Sequence, residues 1–226
     1  MRITLNLKEA LDRLRKNGNP WMEHRYIWVD AICINQKDLA ERRSQVLLMG
    51  EIYKRAESVI VWLGDSLPET RLALDVLDEL GKIPSQRHLE MRKMLITAES
   101  TYENLGIRRI ADREWRAFVG FSRRSYFSRV WVVQEAVFAQ RLFFICGEYE
   151  IQAQTLFNIG KILVLTGWSS QILAPYLGEL RPVSGPHPGS IAAIFQMQGR
   201  SRETREAKAS QNTGLNEISA CYRSPR

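Results

Sequence analysis

The sequence predicts a three-layer α/β domain with a short, mainly parallel sheet flanked by helices. Two apolar runs, Ile27 to Ile34 and Ser58 to Gly64, have the β-branched composition of strands. The first is apolar on both alternating faces apart from Asp30, as in a strand buried between two layers. Between the runs, Asp38 and Glu41 have the spacing of a capping box that opens a helix. Strand, helix and strand in this order form a crossover unit with parallel strands.

Helices are predicted on either side of this unit. A first helix is expected to be capped by Asn6. Beyond the second strand, Pro68 opens an amphipathic helix that Gly81 ends. Further helices are expected over residues 86–99 and from Asp112 onward. We interpret this middle region as a helical insertion on the sheet.

The C-terminal half is predicted to add one buried strand, Leu142 to Cys146, and an apolar helix over residues 155–166. Residues 1–183 are expected to form one domain. Beyond Arg181 the composition shifts to Pro, Gly, Ser and Arg, with few residues able to form a core. We therefore expect residues 184–226 to be a disordered tail.

The composition argues against several classes of function. A chain of 226 residues with 45% apolar content is typical of one globular α/β domain. The net charge of +7 is spread over helices of mixed sign, without a basic stripe interleaved with aromatic residues, so no nucleic-acid partner is expected. The longest uncharged run, residues 162–178, is too short and too polar for a membrane span. No signal peptide is visible, and we expect a cytoplasmic protein.

The cysteines and histidines do not predict a metal centre. Cys33, Cys146 and Cys221 are an odd number without the spacing of a disulfide framework or a zinc site. Cys33 and Cys146 lie in apolar runs, and we interpret them as buried thiols in a reducing cytosol. The three histidines are isolated from one another and from the cysteines, so no metal site is expected.

Two stretches of the chain together resemble a known family. The first block is WVDAICINQ at residues 28–36, continued by Glu41-Arg42, Gln45-Val46 and VIVWLG at residues 59–64. The second block is FSRVWVVQEA at residues 127–136, followed by Cys146-Gly147. In this order they closely resemble the core of the fungal heterokaryon incompatibility domain. The resemblance also favours a helix for residues 130–139, which β propensity alone would assign to a strand.

The resemblance implies a function in programmed cell death, triggered when genetically different fungal cells fuse, as a form of innate immunity by non-self recognition. A domain of this kind is expected to act by self-association or through protein partners. The family has also been likened to the TIR fold, and some TIR domains cleave NAD with a glutamate. On that analogy the chain would be an enzyme with NAD as its substrate. No cofactor is expected. A third interpretation is an inactive, truncated relative, because the family's usual first and last blocks are absent from the sequence.

Three carboxylates are candidate catalytic residues. Asp30 lies in an apolar run, where an unpaired carboxylate is costly or takes up a proton, although a buried ion pair or backbone N–H groups would also satisfy it. Glu41 opens a helix, where the helix dipole alone would explain a carboxylate. Glu135 shares a helix face with Trp131 and is equally well explained as a hydrogen-bonded anchor between helix and sheet. On the TIR analogy, each carboxylate is a candidate to stabilise positive charge at a ribosyl carbon.

The other candidates belong to the two blocks and are assigned to a ligand site or to a structural motif. Asn35 and Gln36 lie at the predicted carboxyl end of a parallel strand, where open α/β sheets bind ligands. Strand exit and helix capping would explain the same two residues. The full set is Trp28, Asn35, Gln36, Arg42, Gln45, Arg129, Trp131 and Gln134.

Overall fold

A computed structural model describes residues 3–15, 26–128 and 132–176 of the chain. Its α-helices are α1 (Leu5–Leu14), α2 (Asp30–Cys33), α3 (Leu39–Arg55), α4 (Thr70–Gly81), α5 (Glu99–Leu105), α6 (Asp112–Ser122), α7 (Val132–Phe138), α8 (Ala153–Thr166) and α9 (Trp168–Leu173). The strands are β1 (Val59–Trp62), β2 (Leu142–Cys146) and β3 (Tyr149–Gln152). Short 3-10 helices cover Ser85–Arg87, Glu90–Lys93, Ser125–Ser128 and Ala174–Tyr176.

The three strands form one sheet in the order β1-β2-β3. β1 pairs in parallel with β2, with Val59 opposite Leu142, and β2 pairs antiparallel with β3. The predicted α/β class is therefore confirmed. The sheet is mixed and not mainly parallel, because the chain turns back through Gly147 and Glu148 directly after β2 and adds β3 as a neighbour.

The main core lies on one face of the sheet. Alternate residues of a strand point to the same side, and this side carries Val59, Val61, Leu142, Phe144, Cys146 and Ile151. They belong to one buried cluster with residues of α4, α6 and α8, such as Leu77, Phe118 and Ile159. The long helical stretch between β1 and β2 thus supplies much of the material that covers the sheet.

The predicted first strand is wrong. Asp30–Cys33 form the single helical turn α2, in which the amide of Cys33 donates to Val29 O at 2.8 Å and that of Ile34 to Asp30 O at 3.1 Å. Ile34 is buried, whereas Ile27 and Ile32 are exposed. A short apolar run suits a helical turn as well as a strand, and here the backbone bonds are made within the run. Among the described residues, β1 consequently has β2 as its sheet neighbour and the predicted crossover unit does not form.

Two further predictions need correction in the same way. Cys33 is exposed because its run does not enter the sheet, whereas Cys146 in β2 is buried as predicted. Residues 86–99 do not form one helix but pass through two 3-10 turns before α5. The apolar residues of this stretch are sparse, and a long helix needs a continuous apolar stripe to bury.

Several predicted elements are confirmed. α4 ends at Gly81 as predicted, although it begins at Thr70 and not at Pro68, while α6 begins at Asp112 and β2 has the predicted bounds. Within the predicted range 130–139 the chain is helical over α7 and not extended. α1 is present, but its cap is Thr4, whose Oγ1 accepts the amide of Leu7 at 3.2 Å, and not Asn6.

Some predictions lie outside the described residues, namely the tail over 184–226 and Cys221. Of the helices in the described ranges, none has the length and apolar character needed to cross a membrane.

Candidate functional site

Asp30 lies at the start of α2 and is half-buried. Its Oδ1 accepts a hydrogen bond from the amide of Ala31 at 2.7 Å, and its backbone carbonyl accepts one from Gln36 Nε2 at 2.9 Å. The carboxylate is therefore not enclosed in a buried strand. The cost of an isolated charge between two apolar layers, which singled out Asp30, does not arise in this position.

The turn between α2 and α3 is held by side chains that bond to backbone amides. Asp38 caps α3 as predicted, since its Oδ1 accepts the amides of Ala40 at 2.9 Å and Glu41 at 3.0 Å. The carboxylate of Glu41 accepts the amide of Asn35 at 3.0 Å. Asn35 in turn accepts the amide of Lys37 at 3.2 Å. The bonds to Asp38 satisfy amides that the start of α3 leaves open. Glu41 and Asn35 instead bond to amides of the preceding turn, so holding this turn accounts for both residues, and Glu41 does not complete a capping box with Asp38.

Three first-block candidates remain. Trp28 contacts α3, and Arg42 and Gln45 lie in α3 itself. The ring of Trp28 meets that of Tyr53 edge-on, with 6.0 Å between centroids and an interplanar angle of 83°. Gln45 is half-buried on α3, and Arg42 is exposed. An edge-on aromatic pair of this kind contributes about 0.5–1.5 kcal/mol beyond burial, so Trp28 has a structural role here.

Residues 132–136 of the second block lie in α7, which packs against α3. The ring of Phe138 lies against Gly50, and the Nζ of Lys54 is 5.1 Å from the centroid of that ring. Gln140, just beyond α7, donates through Nε2 to the carbonyl of Lys54 at 2.6 Å. Glu135 lies one helical turn before Phe138 and is half-buried.

Three second-block candidates are described only in part or not at all. Arg129 and Trp131 lie outside the described residues, and for Gln134 the description extends to its place in α7. Among the candidate carboxylates, Asp30 and Glu41 belong to the α2–α3 turn, whereas Glu135 lies on α7. The structure therefore brings the two blocks together as a pair of packed helices, α3 and α7.

A polar cluster at the carboxyl ends of β1 and β2 was not predicted. We call Asp65, Ser66, Thr70, Arg124 and Glu148 the strand-end cluster. Arg124 donates to the carbonyls of Leu63 at 2.7 Å and Asp65 at 3.0 Å, and to Thr70 Oγ1 at 3.4 Å. These bonds join the end of α6 to the segment that follows β1.

The other half of the strand-end cluster joins β1 to the turn after β2. Ser66 Oγ donates to Glu148 Oε2 at 2.6 Å, and this bond lowers the pKa of the Glu148 carboxyl below its ordinary value. Arg13 of α1 donates to the carbonyls of Gly147 at 2.9 Å and Glu148 at 3.2 Å. Open α/β sheets bind ligands at this edge, but these donors are directed at the chain's own acceptors. The strand-end cluster therefore holds the ends of β1 and β2 together, and we also call it the clamp.

The buried thiol of Cys146 adjoins the clamp, with Sγ 4.0 Å from Asp65 O. Burial raises the pKa of this thiol, which favours the protonated and poorly nucleophilic form. Across the described ranges, no group of three or more His, Cys, Asp or Glu side chains is placed to hold a metal ion.

One sequence signal pointed to the clamp. Gly147 directly follows β2 and Gly64 is the second residue after β1, and both glycines have positive φ. Such glycines mark sharp turns or a close approach of two backbones. The amide of Gly147 indeed donates to the carbonyl of Gly64 at 2.9 Å.

Comparison with known proteins places the chain in a family. Residues 1–135 match the family model for heterokaryon incompatibility protein (HET), a range that runs from α1 into the second block. The chain belongs to this family. It is also similar to heterokaryon incompatibility protein 6, OR allele, of Neurospora crassa, with 29% identity over 173 residues, covering 69% of this chain and 25% of that protein. The chain thus spans about a quarter of the length of this curated relative. No solved structure matches the chain.

Proposed function

We propose that this chain acts in fungal non-self recognition, as a cell-death-inducing domain that works in the cytoplasm by associating with itself or with protein partners. Its membership in the heterokaryon incompatibility family supports this function. The similarity to a Neurospora crassa protein named for heterokaryon incompatibility supports it further. Because the chain spans a quarter of that relative, the activity of the whole protein is part of the proposal.

The observation that carries the proposal is the structural use of the family-like residues. Asn35 and Glu41 bond to backbone amides of the α2–α3 turn, and the ring of Trp28 contacts that of Tyr53. The helix α7, which contains residues 132–136 of the second block, packs against α3 through Phe138. Residues that build and brace one surface helix suit a domain whose output is contact with another protein.

The alternative function is that of a TIR-like enzyme that cleaves NAD. Such an enzyme would have a three-layer, TIR-like fold. The helices between β1 and β2 would then be an insertion in that fold. The enzyme would also need a carboxylate beside the nucleotide. The candidates for this role are Asp30 and Glu41, which each accept a backbone amide, and Glu135, which is half-buried on α7.

The test is growth of a fungal host after induced expression of the 226-residue chain. Glu135→Gln and Asp30→Asn forms are expressed at matched protein levels, because each substitution keeps size and hydrogen bonding but removes charge. Glu103→Gln, an exposed position on α5, is the matched control. We expect arrest by the parent and by all three variants.

The other outcomes are equally informative. Arrest by the parent and the control but not by Glu135→Gln would favour the enzyme, and loss of NAD would then be measured. If the folded, soluble parent does not arrest growth, the proposed function is wrong and the inactive-relative interpretation gains support.

A further inference from the structure

The helix α3 carries three exposed leucines. Leu47 is 81% exposed, Leu39 is 74% exposed and Leu48 is 49% exposed. The buried residue Met49 and the half-buried Tyr53 lie on sides of the helix away from Leu47. Singly exposed leucines are ordinary on protein surfaces, so exposure alone does not indicate a partner. The charged residues on either side of Leu47 are what indicate a partner.

Leu47 lies between opposite charges in one row along the helix. Arg43, Leu47 and Glu51 follow at intervals of four residues, and residues four apart are neighbours on a helix surface. Arg43 and Glu51 are both exposed. The row therefore reads cation, apolar residue, anion, with the most exposed leucine at its centre.

A row of this kind is complementary to itself. If two copies of α3 cross antiparallel about a two-fold axis at Leu47, each Arg43 lies opposite Glu51 of the other copy and the two Leu47 side chains meet. Such a contact is isologous, since the same patch serves both copies. Opposite charges placed in this way favour one register and disfavour others.

We propose that the row Arg43, Leu47 and Glu51 of α3 is the contact through which two copies of this chain associate. This inference rests on the proposed function, in which the domain acts by association, and names the surface that mediates it. The side of α3 that packs against Phe138 of α7 stays in place, so the contact forms without unfolding the domain.

The contact is weak and reversible. Within one copy, Glu51 already bonds to Lys54 at 2.6 Å and lies 3.8 Å from Arg55, and exposed pairs of this kind contribute only about 0.2–1 kcal/mol. One pair of helices also buries an area at or below the lower end for stable interfaces, about 1,200 Å². We therefore expect dimers that form in the micromolar range.

Sedimentation velocity of the purified 226-residue chain at rising concentration measures this association. We expect a concentration-dependent dimer, and we expect Leu47→Asp to raise its Kd at least about tenfold, a loss of about 1.4 kcal/mol. Leu89→Asp, at a comparably exposed leucine outside α3, should leave the Kd unchanged. The proposal would be overturned if the chain stayed monomeric or if Leu47→Asp left the Kd of the dimer unchanged.

A charge exchange tests the two-fold geometry. Arg43→Glu alone and Glu51→Arg alone should each weaken self-association, because like charges then face each other at both ends. A mixture of the two single variants should associate again. In that mixed pair the introduced glutamate meets the introduced arginine, and the unchanged Glu51 of one chain meets the unchanged Arg43 of the other. Circular dichroism of each variant checks that α3 remains helical. If the folded variants do not associate on mixing, the antiparallel contact is wrong.

The outcome separates this inference from the proposed function. If the parent arrests growth but its dimer does not depend on Leu47, the function stands and the contact is wrong. If the dimer depends on Leu47 but the parent never arrests growth, the contact stands and the function is wrong.

Discussion

The ring of Phe138 lies so close to Gly50 that a β-carbon added to this glycine would be 3.3 Å from Phe138 Cε2. The two residues are 88 positions apart in the sequence and belong to different helices, α3 and α7. Their contact joins the helices that carry the two family-like blocks. A β-carbon at this point would require the Phe138 ring to shift by a few tenths of an ångström.

Gly50→Leu should therefore destabilise the domain. A side chain at this position displaces the Phe138 ring, and overpacking of this kind costs about 1–3 kcal/mol. Urea unfolding followed by tryptophan fluorescence measures the change. Gly120→Ala on α6 is the control, because a β-carbon there meets nothing within 4 Å, and alanine should add about 0.5–1 kcal/mol of helix stability. Equal effects of the two substitutions would show that the α3–α7 contact does not hold the helices.

Gly147 is the glycine on which the clamp at the strand ends depends. Its φ is +54°, and a β-carbon built there would be 2.5 Å from the backbone nitrogen of Ser66. We expect Gly147→Ala to cost more free energy of unfolding than Gly106→Ala. Gly106 has a similar φ of +67° but open space around it, so its substitution should cost only about 1–2 kcal/mol for the left-handed backbone. Similar losses at the two sites would contradict the close approach.

A bidentate ion pair between Arg108 and Glu114 should make stability depend on acid pH. Arg108 donates to the two carboxylate oxygens at 2.9 Å and 2.6 Å, and these bonds lower the pKa of Glu114. A lowered folded-state pKa gives stability that is present above the unfolded value and is lost as pH falls through the folded pKa. Glu114→Gln should lower the free energy of unfolding at neutral pH, because it removes the charge of the pair. The loss should be limited to about 1–2 kcal/mol, because Arg108 is partly exposed and solvent screens the interaction.

The measurement is the difference in free energy of unfolding between the parent and Glu114→Gln, taken from neutral pH down past the ordinary glutamate pKa of about 4.3. The difference should shrink as the pH falls, since Glu114 becomes neutral in the parent as well. Glu103→Gln on the exposed side of α5 should show no such trend. A difference that stays constant with pH would mean that charge is not what stabilises the pair.

His88 should add a second pH dependence at milder acidity. The side chain is buried, and burial lowers its pKa while a hydrogen bond to the Ile83 backbone opposes that change. Its Nε2 has no hydrogen-bond partner in the described part of the chain. As pH falls below about 6.5, the unfolded chain takes up a proton that the folded chain does not, so stability decreases. His88→Gln should flatten this decrease, and an unchanged slope would assign it to other groups.

Local patterns explain the predictions that succeeded. In α4 the apolar residues recur with the period of a helix, and Ala73, Val76, Leu77 and Leu80 are all buried. Asp38 was recognised as a cap because an acceptor at this position serves amides two and three residues on. Each of these signals lies within a few neighbouring residues, so the sequence displays it directly.

The run from Ile27 to Ile34 shows where local patterns are ambiguous. Its composition is the same whether it enters a sheet or forms a single helical turn, and burial decides between the two. In the folded chain β1 pairs with β2, which lies 80 residues further on, and the run bonds to itself. The case for Asp30 as a buried carboxylate depended on the wrong choice, so the error passed from the fold to the site.

The sequence by itself determined the family of this protein, its α/β class, the positions of α4, α6 and β2, and the capping of α3. The family is indicated by two long blocks of the sequence. The other features follow from residue types and spacings within one or two turns of chain. Only the tertiary structure decided the mixed order of the sheet, the α3–α7 contact and the clamp at the strand ends. Arg124 meets Leu63 across 61 residues, and Ser66 meets Glu148 across 82. Such contacts depend on which distant segments pack together. Burial of apolar surface and hydrogen bonding over the whole chain determine that packing.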